Sequence, residues 1–168
     1  ANGTWLWERD YVYRGRQLLA LVTPALGVAA AHLDHLGTVR YLTDQAGVEV
    51  GYHAYFPFGE EVPEPPTTAP GVPLAQADTV RAKFTGHERD LQATLTALAD
   101  DLDYMHARMY GPLTARFLSI DPGRDTKAAV RRPQSCNRDA YVIGNPLRFT
   151  DPSGAYVEVA GEENQRIF

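Results

Sequence analysis

The sequence predicts a mostly β protein built from antiparallel hairpins. Three observations carry that expectation. The first sixty residues are rich in tyrosine, glycine and short alternating runs, which suits strands joined by tight turns better than helices. The segment from Val39 to Tyr55 reads as a hairpin: Val39-Arg40-Tyr41-Leu42-Thr43, a turn Asp44-Gln45-Ala46-Gly47, then Val48-Glu49-Val50-Gly51-Tyr52-His53-Ala54-Tyr55. Two Asp-Pro corners, Asp121-Pro122 and Asp151-Pro152, are ordinary turn starters.

Taken in chain order, Trp5 to Tyr13 is the first expected strand. The arm Tyr11 to Leu18 and the unit Tyr41 to Gly51 are alike enough to suggest a degenerate repeat of about two dozen residues. Leu18 to Leu33 is apolar, but Pro24, Gly27 and His32 interrupt it and it is too short for a bilayer span. Pro63, Pro65, Pro66, Pro70 and Pro73 fix φ and remove donors, so a polyproline-like loop is expected there. Leu91, Leu95, Leu98, Leu102, Met105 and Met109 have helical spacing, while Tyr104 to Tyr110 also alternates. The expectation is a short helix near 91–100 and a strand near 103–110.

Composition narrows the function classes. The chain has 168 residues, 44% of them apolar, which is enough for one ordinary domain. Sixteen basic against 21 acidic residues give a net charge of -5, which argues against nucleic acid as a partner. Fourteen of the basic residues are arginine, suited to bidentate carboxylate pairing. Cys136 is the single cysteine, so no internal disulfide forms, and it is expected to be a small buried apolar group. The chain begins without a basic head and apolar run, so no signal peptide is visible.

The chemistry-bearing stretches are Ala115-Arg116-Phe117-Leu118-Ser119-Ile120-Asp121-Pro122 and Phe149-Thr150-Asp151-Pro152-Ser153-Gly154. Two aspartates brought together, with an arginine to control their charge, are the raw material of an acid protease. One ionised carboxylate takes a proton from water and one neutral carboxyl donates, because like charges oppose simultaneous ionisation. The same corners also suit simple β-turns. Other candidates carry less. His32 and His35 lack a third metal ligand, and no metal or cofactor is expected; His35 is expected to make a hairpin hydrogen bond. Asp100, Asp101 and Asp103 lack the further oxygens and glycine of a calcium loop and read as a solvated face. Tyr52, Tyr55, Phe56 and Phe58 could offer a sugar-stacking platform, but strand packing is the plainer reading.

The chain resembles the Rhs repeat-associated core of Rhs and YD-repeat proteins. The resemblance rests on the run from Leu33-Asp34-His35-Leu36-Gly37 to Asp44, on Tyr55-Phe56-Pro57-Phe58-Gly59-Glu60, and on Lys83-Phe84-Thr85-Gly86-His87-Glu88-Arg89-Asp90. It continues through Asp101 to Tyr110, Arg116 to Pro122, Asn137 to Leu147 and Asp151-Pro152-Ser153-Gly154. These place a core at 33–154, a degenerate YD-repeat-like segment at 1–32 and a tail at 155–168.

The resemblance implies a β-sheet spiralling into a hollow shell, a secreted or cell-surface setting, and a core segment that closes one end. Its partners would be the rest of the shell, in the same or a neighbouring chain, and an encapsulated C-terminal effector, with strand edges open to self-association. It also implies an aspartyl-type self-cleavage that releases the C-terminal region. Carried over, Arg116, Asp121 and Asp151 are the catalytic group, and the bond between Ala155 and Tyr156 is the cut. Asp34, His35, Gly37, Gly59, Gly86, Pro122, Pro152 and Gly154 are the turn positions. The chain departs from the family pattern at Met109, Ala115 and Ala155, where tyrosine, glycine and leucine are usual. Those departures motivate the alternative of a non-catalytic structural or adhesive YD-repeat module.

Overall fold

A computed structural model of the chain describes residues 6–62, 80–90, 101–122 and 133–160. The fold is mostly antiparallel β, with no helix of seven or more residues among the described residues. Strands β1 (Asp10–Arg14), β2 (Gln17–Thr23), β3 (Gly27–Leu33), β4 (Val39–Thr43) and β5 (Glu49–Tyr52) form a five-stranded meander in chain order. Strands β6 (Glu88–Asp90), β7 (Leu102–Met105), β8 (Arg108–Gly111) and β9 (Arg116–Phe117) form a second, four-stranded meander. A ribbon of β10 (Phe149–Thr150) and β11 (Glu158–Val159) completes the set.

Successive side chains point to opposite faces of a strand, and one extra residue in β2 (between Leu18 and Ala20) and in β4 (between Val39 and Tyr41) resets that alternation, so that Leu18 and Leu21, and likewise Val39 and Leu42, share a face. In the first sheet Leu18, Leu21, Ala29, Val39 and Leu42 point inward and join Val80 and Ala82 in one core cluster. In the second, Met105, Tyr110 and Phe117 point inward and pack with Phe84, Tyr141 and Val142. The rings of Phe84, Tyr110, Phe117 and Tyr141 lie 4.6–6.4 Å apart in tilted, stacked and edge arrangements, a spacing that adds to their burial. Residues 80–87 tie the two cores together. The Arg81 amide donates to the Tyr11 hydroxyl at 2.9 Å, and the Thr85 amide donates to Thr38 Oγ1 at 3.0 Å.

Several expectations meet this architecture. The Val39 to Tyr55 hairpin is present as β4 and β5, and the apolar run Leu18 to Leu33 is the β2–β3 hairpin. No helix among the described residues is long and apolar enough to cross a membrane. The first strand begins at Asp10, and Trp5 lies outside the described residues, as do the proline-rich loop from Pro63 and the helix expected near 91–100. The single strand expected at 103–110 is instead two strands, with Met105 opposite Arg108 across a two-residue turn. His106 holds φ at 53°, the conformation such a turn demands and one for which His-Ala is an unusual sequence. The helical spacing of Leu102, Met105 and Met109 therefore had no helix behind it.

Other corrections concern burial. Cys136 is exposed at the end of a short 3-10 turn, Pro133–Cys136, not buried. Asp103 is not on a solvated face: it sits opposite Arg89 across the β6–β7 ladder and is fully buried, held by Arg89 Nε at 2.7 Å and Nη2 at 3.0 Å. His35 does not bond within its hairpin. Its Nε2 donates to the Leu147 carbonyl at 3.0 Å, and it is His32 that makes the cross-strand contact, to Thr43 Oγ1 at 2.9 Å.

Candidate functional site

Three turns in this chain share one construction. Asp34 follows the last residue of β3, and its Oδ1 accepts the amides of Leu36 and Thr38 at 2.9 and 3.0 Å. Asp44 follows β4 and accepts the amides of Ala46 and Val48 at 2.8 and 2.9 Å. Asp151 follows β10 and accepts the amides of Ser153, Ala155 and Tyr156 at 3.3, 3.0 and 3.2 Å. The glycine three residues on has positive φ each time, 80° at Gly37, 79° at Gly47 and 69° at Gly154. An aspartate that bonds its own downstream backbone beside a left-handed glycine is local turn chemistry.

Asp151 differs from its two counterparts in what surrounds it. It is 1% exposed, and its second oxygen, Oδ2, faces Arg108 Nη2 at 3.2 Å. The same Nη2 lies 3.4 Å from Asp121 Oδ2, so one guanidinium nitrogen serves both carboxylates. Arg108 Nε donates to the Gly154 carbonyl and Nη1 to the Arg138 carbonyl at 3.1 Å. Its guanidinium carbon stands 3.5 Å over the Phe117 ring, a cation–π contact. Arg138 completes the frame: its guanidinium donates to the Asp121 carbonyl, and its own carbonyl accepts the Asp121 amide at 3.0 Å. The two aspartates come from loops thirty residues apart, and the start of β8 joins them.

Burial separates the two acids. Burial pushes the Asp151 carboxyl above its ordinary value, while the Tyr156 amide, Arg108 and the amides of Ser153 and Ala155 pull against it. Asp121 has a side chain 26% exposed and opens to solvent. Behind Asp151 stands His87, whose Nε2 donates to the Asp151 carbonyl at 3.1 Å. Burial lowers the His87 ring to about 4, so it is neutral at physiological pH.

Of the sequence-predicted catalytic residues, the structure brings Asp121 and Asp151 together and leaves Arg116 out. Arg116 pairs with Asp139 Oδ2 at 2.7 Å on the surface. The reason is strand parity. Phe117 takes the inward position opposite Tyr110, so its neighbour Arg116, opposite Gly111, points outward. Arg108 faces inward beside Tyr110 by the same rule. A charged residue at an inward position of an apolar alternation was the signal in the sequence that would have found it.

Pro122 and Pro152 follow their aspartates; Gly59 and Gly86 have φ of 89° and 77°. A Cβ at Gly59 would lie 2.5 Å from Phe84 ring carbons, and one at Gly154 would lie 2.2 Å from the Met105 carbonyl oxygen. Gly154 is thus what lets the Asp151 turn lie against the β7–β8 turn, where the Ala107 amide donates to the Ser153 carbonyl at 3.0 Å. Ala155 is exposed at the end of this turn.

A cleft of about 560 Å³ borders the Asp151 turn at Thr150 and Pro152 and is lined by Arg16, His35, His87, Tyr104 and Glu158 among others. Asp121, Asp151 and Arg108 do not line it. Among the described residues no three His, Cys, Asp or Glu side chains are placed to hold a metal ion.

The architecture defined by these observations is an antiparallel β assembly of successive hairpins with an Asp–Arg–Asp knot at the last turn. It is similar to solved toxin-complex chains. The crystal structure of TcdB2-TccC3-Cdc42 matches with a TM-score of 0.62 at 21% identity, over 88% of this chain and 6% of that one. The Photorhabdus luminescens Tc holotoxin pore, with a substitution in TccC3, matches with a TM-score of 0.64 at 18% identity, over 94% of this chain and 7% of that one. A crystal structure of TcdB2-TccC3 matches with a TM-score of 0.60 at 21% identity, over 87% of this chain and 6% of that one. This chain therefore spans about 6 to 7% of the length of these solved chains. No family model matches the sequence, and no curated protein matches it.

Proposed function

We propose that the chain is the closing segment of a larger β-shell of the toxin-complex type, and that its last turn is a self-cleaving aspartyl site that frees the polypeptide downstream of Ala155. One observation carries the cleavage reading. Asp151 Oδ1 lies 3.2 Å from the nitrogen of the Ala155–Tyr156 bond, while Oδ2 meets the guanidinium nitrogen that also meets Asp121. In this reading Asp121, the more open acid, takes a proton from water as the water oxygen attacks the Ala155 carbonyl carbon. Asp151 Oδ1 holds the Tyr156 N–H in place, and Asp121 passes the proton it took from water to the departing Tyr156 nitrogen. Arg108 holds both carboxylates in register and balances the charge left on the pair. The scissile bond belongs to the same chain, so effective concentration replaces substrate affinity and one turnover suffices.

The shell role is supported by the likeness to toxin-complex chains and by the open outer edge of β1, which has no strand beyond it among the described residues. In this reading that edge is where a preceding repeat continues the sheet. Delivery outside the producing cell and enclosure of a downstream effector belong to the same proposal.

A second reading has its own observation. Two of the same Asp-x-x-Gly turns occur in the first sheet with no arginine paired to the aspartate among the described residues, and they favour reading the Asp151 turn as architecture, with Arg108 neutralising a buried acid. Intact mass under denaturing conditions separates the two. The proposal expects two pieces divided between Ala155 and Tyr156, and a single uncut mass for Asp121→Asn and Asp151→Asn. One identical uncut mass for all three sinks the enzyme reading and leaves the structural one. Acid cleavage after Asp151 does not count, because it divides a different bond.

A further inference from the structure

We infer that the edge of β10, together with Arg16, is a binding site for the strand downstream of the cut, so that Tyr156 to Ala160 stays seated after the Ala155–Tyr156 bond is broken. The inference rests on the proposed cleavage for its product, but the seat itself is present in the uncut chain. Three anchors form it, all on the downstream side. Val157 packs against the core cluster of Phe84, Met105, Tyr110 and Tyr141. β11 pairs with β10, Glu158 opposite Thr150 and Val159 opposite Phe149, and the Ala160 amide donates to the Arg148 carbonyl at 2.8 Å. Glu158 is 3% exposed, and its Oε2 accepts from Arg16 Nη2 at 2.9 Å, carried on the turn between β1 and β2.

The ligand this site recognises is an extended peptide with a valine and then a glutamate following its first residue. Backbone pairing at a sheet edge supplies affinity, and the alternate side chains supply selectivity. Hydrolysis adds a further contact. Water adds across the bond, Ala155 becomes a carboxylate and Tyr156 becomes an α-ammonium, so the nitrogen that donates to Asp151 Oδ1 at 3.2 Å gains a positive charge beside that carboxylate. The product therefore occupies the site that made it. Cutting and release are separate events, and release requires the Arg16–Glu158 pair and the β10–β11 ladder to open.

Two measurements test this. Amide hydrogen exchange on the whole chain is expected to show slow exchange for 157–160, with protection falling about tenfold in Arg16→Gln, the loss that follows when a buried acid is left without its partner. Amides of β7 and β8 serve as the internal reference. Among molecules shown to be cut by denaturing mass, native size exclusion is expected to keep both pieces together in the wild type and to release the downstream piece in Arg16→Gln. Exchange of 157–160 at the unprotected rate, or release of the downstream piece from the wild type, overturns the inference. An uncut denaturing mass overturns the proposed cleavage instead, and the exchange measurement then decides the seat alone.

Discussion

Replacing Arg108 by methionine removes the cation from the knot while keeping an unbranched stem over Phe117. The side chain is 4% exposed and loses ion pairs at 3.2 and 3.4 Å and donations to the Gly154 and Arg138 carbonyls. Removing one partner of a buried pair costs about 3–5 kcal/mol, because the remaining charge is left without water or a counter-ion. Asp121 can turn toward solvent and Asp151 cannot, which places the expectation at the lower end, about 3 kcal/mol. For a chain of this length that is a fall in Tm of roughly 6–12 °C. The pH dependence is a stronger signature. The Asp151 carboxyl is already raised in the folded state, so its charged form is disfavoured by folding and its contribution is best at low pH. Loss of Arg108 raises it further, so the deficit is largest near neutral pH and shrinks as pH falls toward 4. Thermal or urea unfolding at pH 7 and pH 4 reads this, and denaturing mass reads the cut, which is expected to disappear. Arg116→Met is the control. Its surface pair with Asp139 leaves the midpoint within experimental error and the cut intact. Equal destabilisation by both variants, or loss of cleavage in Arg116→Met alone, refutes the assignment of Arg108 as the hub.

Two further outcomes follow from the same geometry. His87 is lowered to about 4 from an ordinary 6.5, so folding excludes its proton: its stabilisation is whole above pH 6.5 and is lost as pH falls toward 4, to the extent of about 3 kcal/mol. His87→Gln retains a donor for the Asp151 carbonyl and does not titrate, so its urea midpoint should change less than that of the wild type across this window; an unchanged slope rejects the assignment. Ala115 holds φ at 56°, a left-handed conformation that costs a residue with a Cβ and that glycine adopts freely. Ala115→Gly is therefore expected to stabilise the chain by about 0.5–1 kcal/mol in denaturant titration, where a substitution at an ordinary φ would destabilise it.

The β class, the hairpins and the Asp-x-x-Gly turns were legible in the sequence because each is written in neighbouring residues: alternation sets a strand's faces, and an aspartate with a glycine three positions on closes its own turn. The pairing of Asp121 with Asp151 was legible only through the resemblance, since nothing local joins two loops thirty residues apart. Which arginine meets them was decided by the tertiary structure. Phe117 claims the inward side of β9 to pack on Tyr110, so Arg116 turns to solvent, while Arg108 enters the interior from the start of β8. The burial of Asp103 against Arg89 and the seating of Glu158 on Arg16 have the same origin. A charged side chain reads as exposed until a distant partner fills the place of water, and only the packed chain brings that partner within 3.4 Å.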